Sequence, residues 1–197
     1  MKNGVQEIID IAHNKGVICA DDLDNIPVSR TTLAYMAQKG VLRRISRGKY
    51  VDANQILEYE TFQSAAAAVP QGVLCLLSAL QFHEITTQSP MEVWMAVERG
   101  KTIPKTDNIA LRIVHITHEH FSCGIEEHTL QGINLRVYSP AKTVVDCFKF
   151  RNKIGIDIAR QALKESVDQG KANIDDIWKH AKVCRVLNVI RPYLEMT

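Results

Sequence analysis

The chain has 197 residues, a formal net charge of +2, 46% hydrophobic and 23% charged residues, a composition that excludes a disordered tail or a collagen-like repeat. Its longest apolar runs, residues 65–69 among them, fall far short of the roughly 18 residues a membrane span needs, and Glu7 and Asp10 break up the first apolar stretch where a secretory leader would lie. Five cysteines, odd in number and without a C-x-x-C pair, suggest neither a zinc ribbon nor a disulfide framework, so a cytoplasmic protein with reduced, buried thiols and no cofactor or metal is expected.

In chain order, Val5, Ile8, Ile9 and Ala12 follow the i, i+3, i+4, i+7 spacing of one helix face, and Gly16 supplies a stop. Residues 20–25 predict a short second helix that opens on acidic residues and is interrupted by Pro27. A third helix is predicted from an N-cap at Ser29 to about Lys39, with Gly40 as its C′ residue. Leu33, Met36 and Ala37 fall on the face that packs against the first helix, and Arg30, Thr31, Ala34, Tyr35 and Gln38 fall on the other. Val41, Leu42, Ile45, Tyr50 and Val51 favour strands around a turn at Arg47-Gly48.

Charge is concentrated in this region. Between Pro27 and Val51 lie Arg30, Lys39, Arg43, Arg44, Arg47 and Lys49, with no Asp or Glu among them. Three helices followed by a basic hairpin predict a winged helix-turn-helix, with Arg30, Thr31, Tyr35 and Gln38 in a major groove and Arg43, Arg44, Arg47 and Lys49 at phosphates or a minor groove. The same fold also serves as a protein-docking module, and that alternative stays open.

Residues 53–60 read as a connector, which divides the chain into a DNA-binding domain at 1–54 and a second domain at 55–197. The second domain is predicted to open with helices at 59–69 and 74–83. Strands at 91–97, 109–117, 126–130 and 133–138 follow, the last two joined by a turn at Gln131-Gly132. Ser139-Pro140 reads as an N-cap with proline at N1, and helices follow at about 140–150, 156–169, 174–183 and 185–195. The fold class is therefore α+β, with a small mixed sheet and a helical C-terminal layer.

Four segments together carry a family likeness: Gly40 to Tyr50 (GVLRRISRGKY), Leu77 to Ile85 (LSALQFHEI), Ser139 to Phe148 (SPAKTVVDCF) and Ile156 to Leu163. Their order and spacing resemble the antitoxins of the AbiE abortive-infection systems, the AbiEi family of bacterial type IV toxin–antitoxin pairs, over nearly the whole length. The resemblance implies an N-terminal winged helix that binds inverted repeats in its own promoter and represses it. It also implies a C-terminal domain that counteracts a cognate nucleotidyltransferase-like toxin, in defence against phage or in maintenance of mobile DNA.

The residues give no positive sign of catalysis. His115, His118 and His120, with Cys123 and His128 nearby, lack the paired short spacings of zinc sites. On a strand, His118 and His120 would share a face and His115 would point away. Asp146 has no partner motif for an active site and is expected to pair with Lys142 four residues earlier. Lys142, Lys149, Arg151 and Lys153 are expected as a solvated basic face. Trp94 and Trp178 are expected in the core. A metal-dependent enzyme built on the histidines and Asp146 remains as a third alternative.

Overall fold

The computed structural model describes residues 4–24, 26, 28–29, 31–46, 48–54, 59–103, 109–130 and 133–196, and over these the chain is a mixed α+β protein with two small sheets. It divides into two compact units, Met1–Pro70 with Thr129–Leu135, and Gln71–His128 with Arg136–Thr197.

In the first unit, α1 (Gly4–Lys15) buries Ile8 and Ala12, the two positions an amphipathic period places on one side. It ends where Gly16 takes φ +84° and returns its N–H to the Ala12 carbonyl (3.0 Å). A two-residue strand β1 (Ile18–Cys19) leads into a 3-10 turn at Ala20–Leu23, in place of the expected second helix. The Asp22 carboxylate accepts the Cys19 N–H at 2.8 Å, so the side chain competes for backbone donors and keeps the turn tight. Helix α2 (Thr31–Gln38) follows, then β2 (Leu42–Ser46) and β3 (Lys49–Asp52), an antiparallel pair with Gly48 at φ +75° between them. The sheet order is β1-β3-β2. Ile8, Ala12, Leu33, Met36, Leu42, Tyr50 and Ile18 form one buried cluster, so α1 and α2 pack on one face of this sheet. The unit continues into α3 (Glu60–Ala68), which packs against β2. Residues 129–135 complete it, and the buried Gln63 donates to the Leu130 carbonyl at 3.1 Å.

The five-stranded sheet, which belongs to the second unit apart from the ends of β7 and β8 that fall within Thr129–Leu135, has the order β6-β5-β4-β8-β7. Its middle strand, β4 (Val73–Leu74), runs antiparallel to β5 (Val93–Glu98) and parallel to β8 (Ile133–Tyr138). The outer strands are β6 (Leu111–Ile116), parallel to β5, and β7 (Ile125–Leu130). Five consecutive residues of β5, Val93 to Val97, are buried, the pattern of a strand covered on both faces. Between strands lie α4 (Leu76–Phe82) and the single turn α5 (His118–Phe121). The helical layer comprises α6 (Pro140–Lys149), α7 (Arg151–Ile154), α8 (Ile156–Asp168), α9 (Ile174–Val183) and α10 (Leu187–Leu194). Helix α6 is its centre. Ala141 through Phe148 are all buried, enclosed by α4, α8, α9 and α10. Ser139 caps it as expected, its hydroxyl accepting the Lys142 N–H at 3.3 Å with proline at N1.

Three further expectations are corrected. The helix predicted from residue 74 begins at Leu76, because Val73 and Leu74 belong to the sheet and the Cys75 N–H still bonds the Trp94 carbonyl (3.1 Å). Leu76 absorbs the change of direction at φ +48°, an unusual conformation for a branched side chain. His118 and His120 sit on α5 and not on a strand. The expected basic face at 142–153 does not form, because Lys142 is buried completely and Lys149 partly. The turn predicted at Gln131-Gly132 lies outside the described residues. Trp94 is buried, and Trp178 packs half-buried against the core. Cys75, Cys147 and Cys184 are buried, whereas Cys19 and Cys123 are partly exposed.

Candidate nucleic-acid interface

Helix α2 is eight residues long and carries two distinct sides. Ser29 lies at its start, its hydroxyl 2.9 Å from that of Thr31. Leu33 and Met36 anchor the inner side at 1% and 2% exposure. On the outer side Thr31, Ala34, Tyr35, Gln38 and Lys39 are exposed, Tyr35 to 58%. Lys39 holds its ammonium 5.6 Å from the Tyr35 ring centroid, so a cation covers part of the exposed aromatic face. The helix ends in a Schellman turn: Val41 N–H bonds the Met36 carbonyl (3.0 Å) and Gly40 N–H the Ala37 carbonyl (3.1 Å), with Gly40 at φ +73°. This turn delivers the chain straight into β2.

The hairpin distributes its basic residues over two faces. Arg44 lies opposite Tyr50, and Leu42 opposite Asp52. Facing residues share a side of the sheet, and Leu42 and Tyr50 pack on α1 and α2. Arg44 is therefore exposed on the side that bears α2. Arg43 faces Val51 on the other side, and its guanidinium pairs with the Glu60 carboxylate at the start of α3. Lys49, two residues before Val51 and half-buried, shares that second side. A register shift between Arg44 and Ser46 marks a bulge, which strengthens the local twist near the hairpin end. Arg30 and Arg47 lie outside the described residues.

Of the acidic residues just before this region, Asp21 and Asp24 are exposed and Asp22 is partly buried. Asp22 pairs with Lys15 and also accepts from the Cys19 backbone and thiol. Burial works to raise its carboxyl, but these bonds outweigh burial and hold it below the usual carboxylate range. Glu60 is the residue that sequence reasoning missed. It falls where the connector read at 53–60 overlaps the helix read at 59–69, and only the packing of α3 on β2 reveals it as the partner of Arg43.

The remaining polar groups are dispersed. His115 stands exposed on β6. His118 bonds Glu98 at 2.6 Å. His120 accepts from the Lys149 ammonium at 2.6 Å, and His128 packs edge-on to Phe82 with centroids 4.9 Å apart. Among the described residues, no three His, Cys, Asp or Glu converge on a point that could hold a metal ion. Asp146 meets Lys142 at 2.5 Å, both without solvent exposure, and the same ammonium lies 4.1 Å from the Tyr138 ring centroid. Among the described residues no helix is long and apolar enough to cross a membrane.

No family model matches the chain, and no curated protein matches it. Among solved structures it is similar to the RV2827C protein from Mycobacterium tuberculosis, with a TM-score of 0.62 at 10% identity over 96% of this chain and 77% of that one. At that identity the likeness establishes a shared fold and nothing of the chemistry.

Proposed function

We propose that the first unit is a winged helix-turn-helix that binds duplex DNA, and that the protein is the antitoxin and autorepressor of a toxin–antitoxin pair. On this reading α2 is the recognition helix, with Arg30, Thr31, Tyr35 and Gln38 at base edges. Arg44, Arg47, Lys49 and Lys39 contact phosphates, with Arg43 in a lesser part. The observation that carries the reading is the outer side of α2, exposed and polar, with Arg44 on the same side of the adjoining hairpin. A helix N-terminus entering a major groove beside a cationic hairpin is a recurrent way of reading DNA. The second unit counteracts a nucleotidyltransferase-like toxin, a part of the proposal that rests on the family resemblance alone.

A gel shift on the DNA upstream of the gene tests the first part. A retarded band that survives competitor DNA is expected. With about four to six phosphates neutralised, log K should fall against log salt with a slope of roughly −4 to −5. Co-expression with the neighbouring reading frame tests the second part: growth arrest by the neighbour alone, relieved by this chain, is expected. The protein-docking alternative draws on one feature, the exposed ring of Tyr35. It predicts no specific band at any salt concentration.

A further inference from the structure

On the outer side of α2, Thr31, Ala34, Tyr35 and Gln38 follow the i, i+3, i+4, i+7 spacing, and all four are exposed. They form one ridge along the helix, held in place by Leu33 and Met36 buried beneath it. At a rise of 1.5 Å per residue the ridge is about 10 Å long from Thr31 to Gln38, the span of about three base pairs at 3.4 Å each. None of its side chains carries a formal charge, and no Asp or Glu lies between Pro27 and Val51.

Each member offers a different chemistry. Gln38 ends in an amide, with an acceptor oxygen and an N–H donor side by side. The Thr31 hydroxyl lies 2.9 Å from that of Ser29, so the group it leaves for a base edge is its methyl. Ala34 presents a methyl and nothing else, and its small size lets the helix approach a groove floor closely. The Tyr35 ring is 58% exposed, and the Lys39 ammonium lies 5.6 Å from its centroid, so the nearest cation on this helix is engaged with the ring.

Resting on the reading of α2 as a recognition helix, we propose that this ridge reads a short run of A·T base pairs. Gln38 specifies an adenine, and the methyls of Thr31 and Ala34 pack against thymine methyls. In the major groove adenine sets its N7 acceptor beside its N6 donor, a pattern that the Gln38 amide meets with two bonds, and thymine is the base that carries a methyl. Guanine sets two acceptors side by side and calls for the paired donors of Arg or Lys, whereas cytosine presents an amino donor and calls for a carboxylate. The ridge holds neither kind of group. Arg30, immediately before the ridge in sequence, is equipped for guanine, which would then flank the A·T run. Tyr35 adds its ring as a further apolar surface for the thymine methyls.

The experiment selects sites for the full-length protein from a random duplex library and sequences the bound DNA. The expected motif contains about three consecutive A·T pairs, with one adenine that Gln38→Ala makes degenerate and Gln38→Arg moves toward guanine. On the selected site, followed by fluorescence anisotropy, Gln38→Ala should weaken binding roughly 5- to 150-fold and leave the salt slope unchanged, because no charge is removed. Two changes in the DNA leave the protein untouched. Uracil in place of thymine removes the methyls and should weaken binding about fourfold for each methyl buried. Placing 7-deazaadenine at the specified adenine removes the N7 acceptor and should weaken binding as well. A selected motif without the A·T run, or a site bound equally well with uracil and 7-deazaadenine, overturns the base assignment while leaving DNA binding intact. A library that yields no motif at all overturns the recognition-helix reading, and the base assignment with it.

Discussion

At Arg43 and Arg44 the two-residue period of a strand separates side chains adjacent in sequence. Arg44 lies exposed on the α2 side, and Arg43 pairs with Glu60 on the other. A half-exposed pair of this kind contributes little to stability, but it compensates a charge that would otherwise be offered to a phosphate. Because Arg44 shares the side of the sheet that bears the proposed recognition helix and Arg43 lies on the other, Arg44→Ala should weaken DNA binding more than Arg43→Ala, and reduce the salt slope by about 1. Equal losses, measured by fluorescence anisotropy across a salt series, would argue against this division. A second prediction concerns His83, whose Nε2–H donates to the Tyr138 carbonyl at 2.8 Å. Burial pushes this imidazole below its ordinary value. Below about pH 6.5 the unfolded chain takes up the proton before the folded one does, so the unfolded state binds more protons and stability falls as the solution is acidified. The urea midpoint should drop between pH 7 and pH 5. His83→Gln, which retains an N–H donor, should flatten that dependence.

Helix α6 shows what happens when an element is surrounded on all sides. Its polar residues cannot reach water, so each must be satisfied internally. Thr143 donates to the Tyr138 carbonyl at 3.1 Å, and Lys142 meets Asp146. Burial raises the Asp146 carboxyl even against the ammonium beside it. Removing one charge strands the other in a dry site, so Asp146→Ala should cost about 3–5 kcal/mol in chemical denaturation. Replacing both, as Lys142→Met with Asp146→Leu, should be near neutral or stabilising; an equally large loss in the double variant would mean that the pair itself holds α6 in place. An i, i+4 Lys–Asp spacing ordinarily marks a solvated helix face, so the sequence predicted the pair but not its burial. Other elements were legible for clear reasons. Ile8 and Ala12 carry a helical period, Gly16 and Gly40 stop their helices with positive φ, and Ser139-Pro140 marks a helix start. Strand β4 was not legible, because two apolar residues run without a turn signal into the apolar start of α4. The turn α5 escaped because four residues are too few for any periodicity to register. Of the candidate interface, the outer side of α2 was read from sequence, whereas the engagement of Arg43 depended on a partner beyond the hairpin.

At the scale of the whole chain, the first unit extends past the hairpin to Pro70. Ile45 and Val51 of the hairpin are buried, at 6% and 0% exposure, and α3 packs against β2. A fragment ending at residue 54 would lack α3 altogether. It should therefore be less stable in urea than a fragment ending at residue 70, by roughly 3–6 kcal/mol if two aliphatic side chains become exposed. Equal midpoints would show that α3 adds nothing to the hairpin.

The first unit is also assembled from segments far apart in the sequence, since Thr129–Leu135 belongs to it and Leu130 receives the bond from Gln63. During synthesis the amino-terminal portion emerges first and must wait for that distant stretch. At ~5–20 residues per second the delay is on the order of several seconds. Throughout that interval the Leu130 carbonyl that Gln63 bonds in the folded protein is not yet in place, so a nascent chain paused before residue 129 would present an unfinished amino-terminal module to chaperones and proteases.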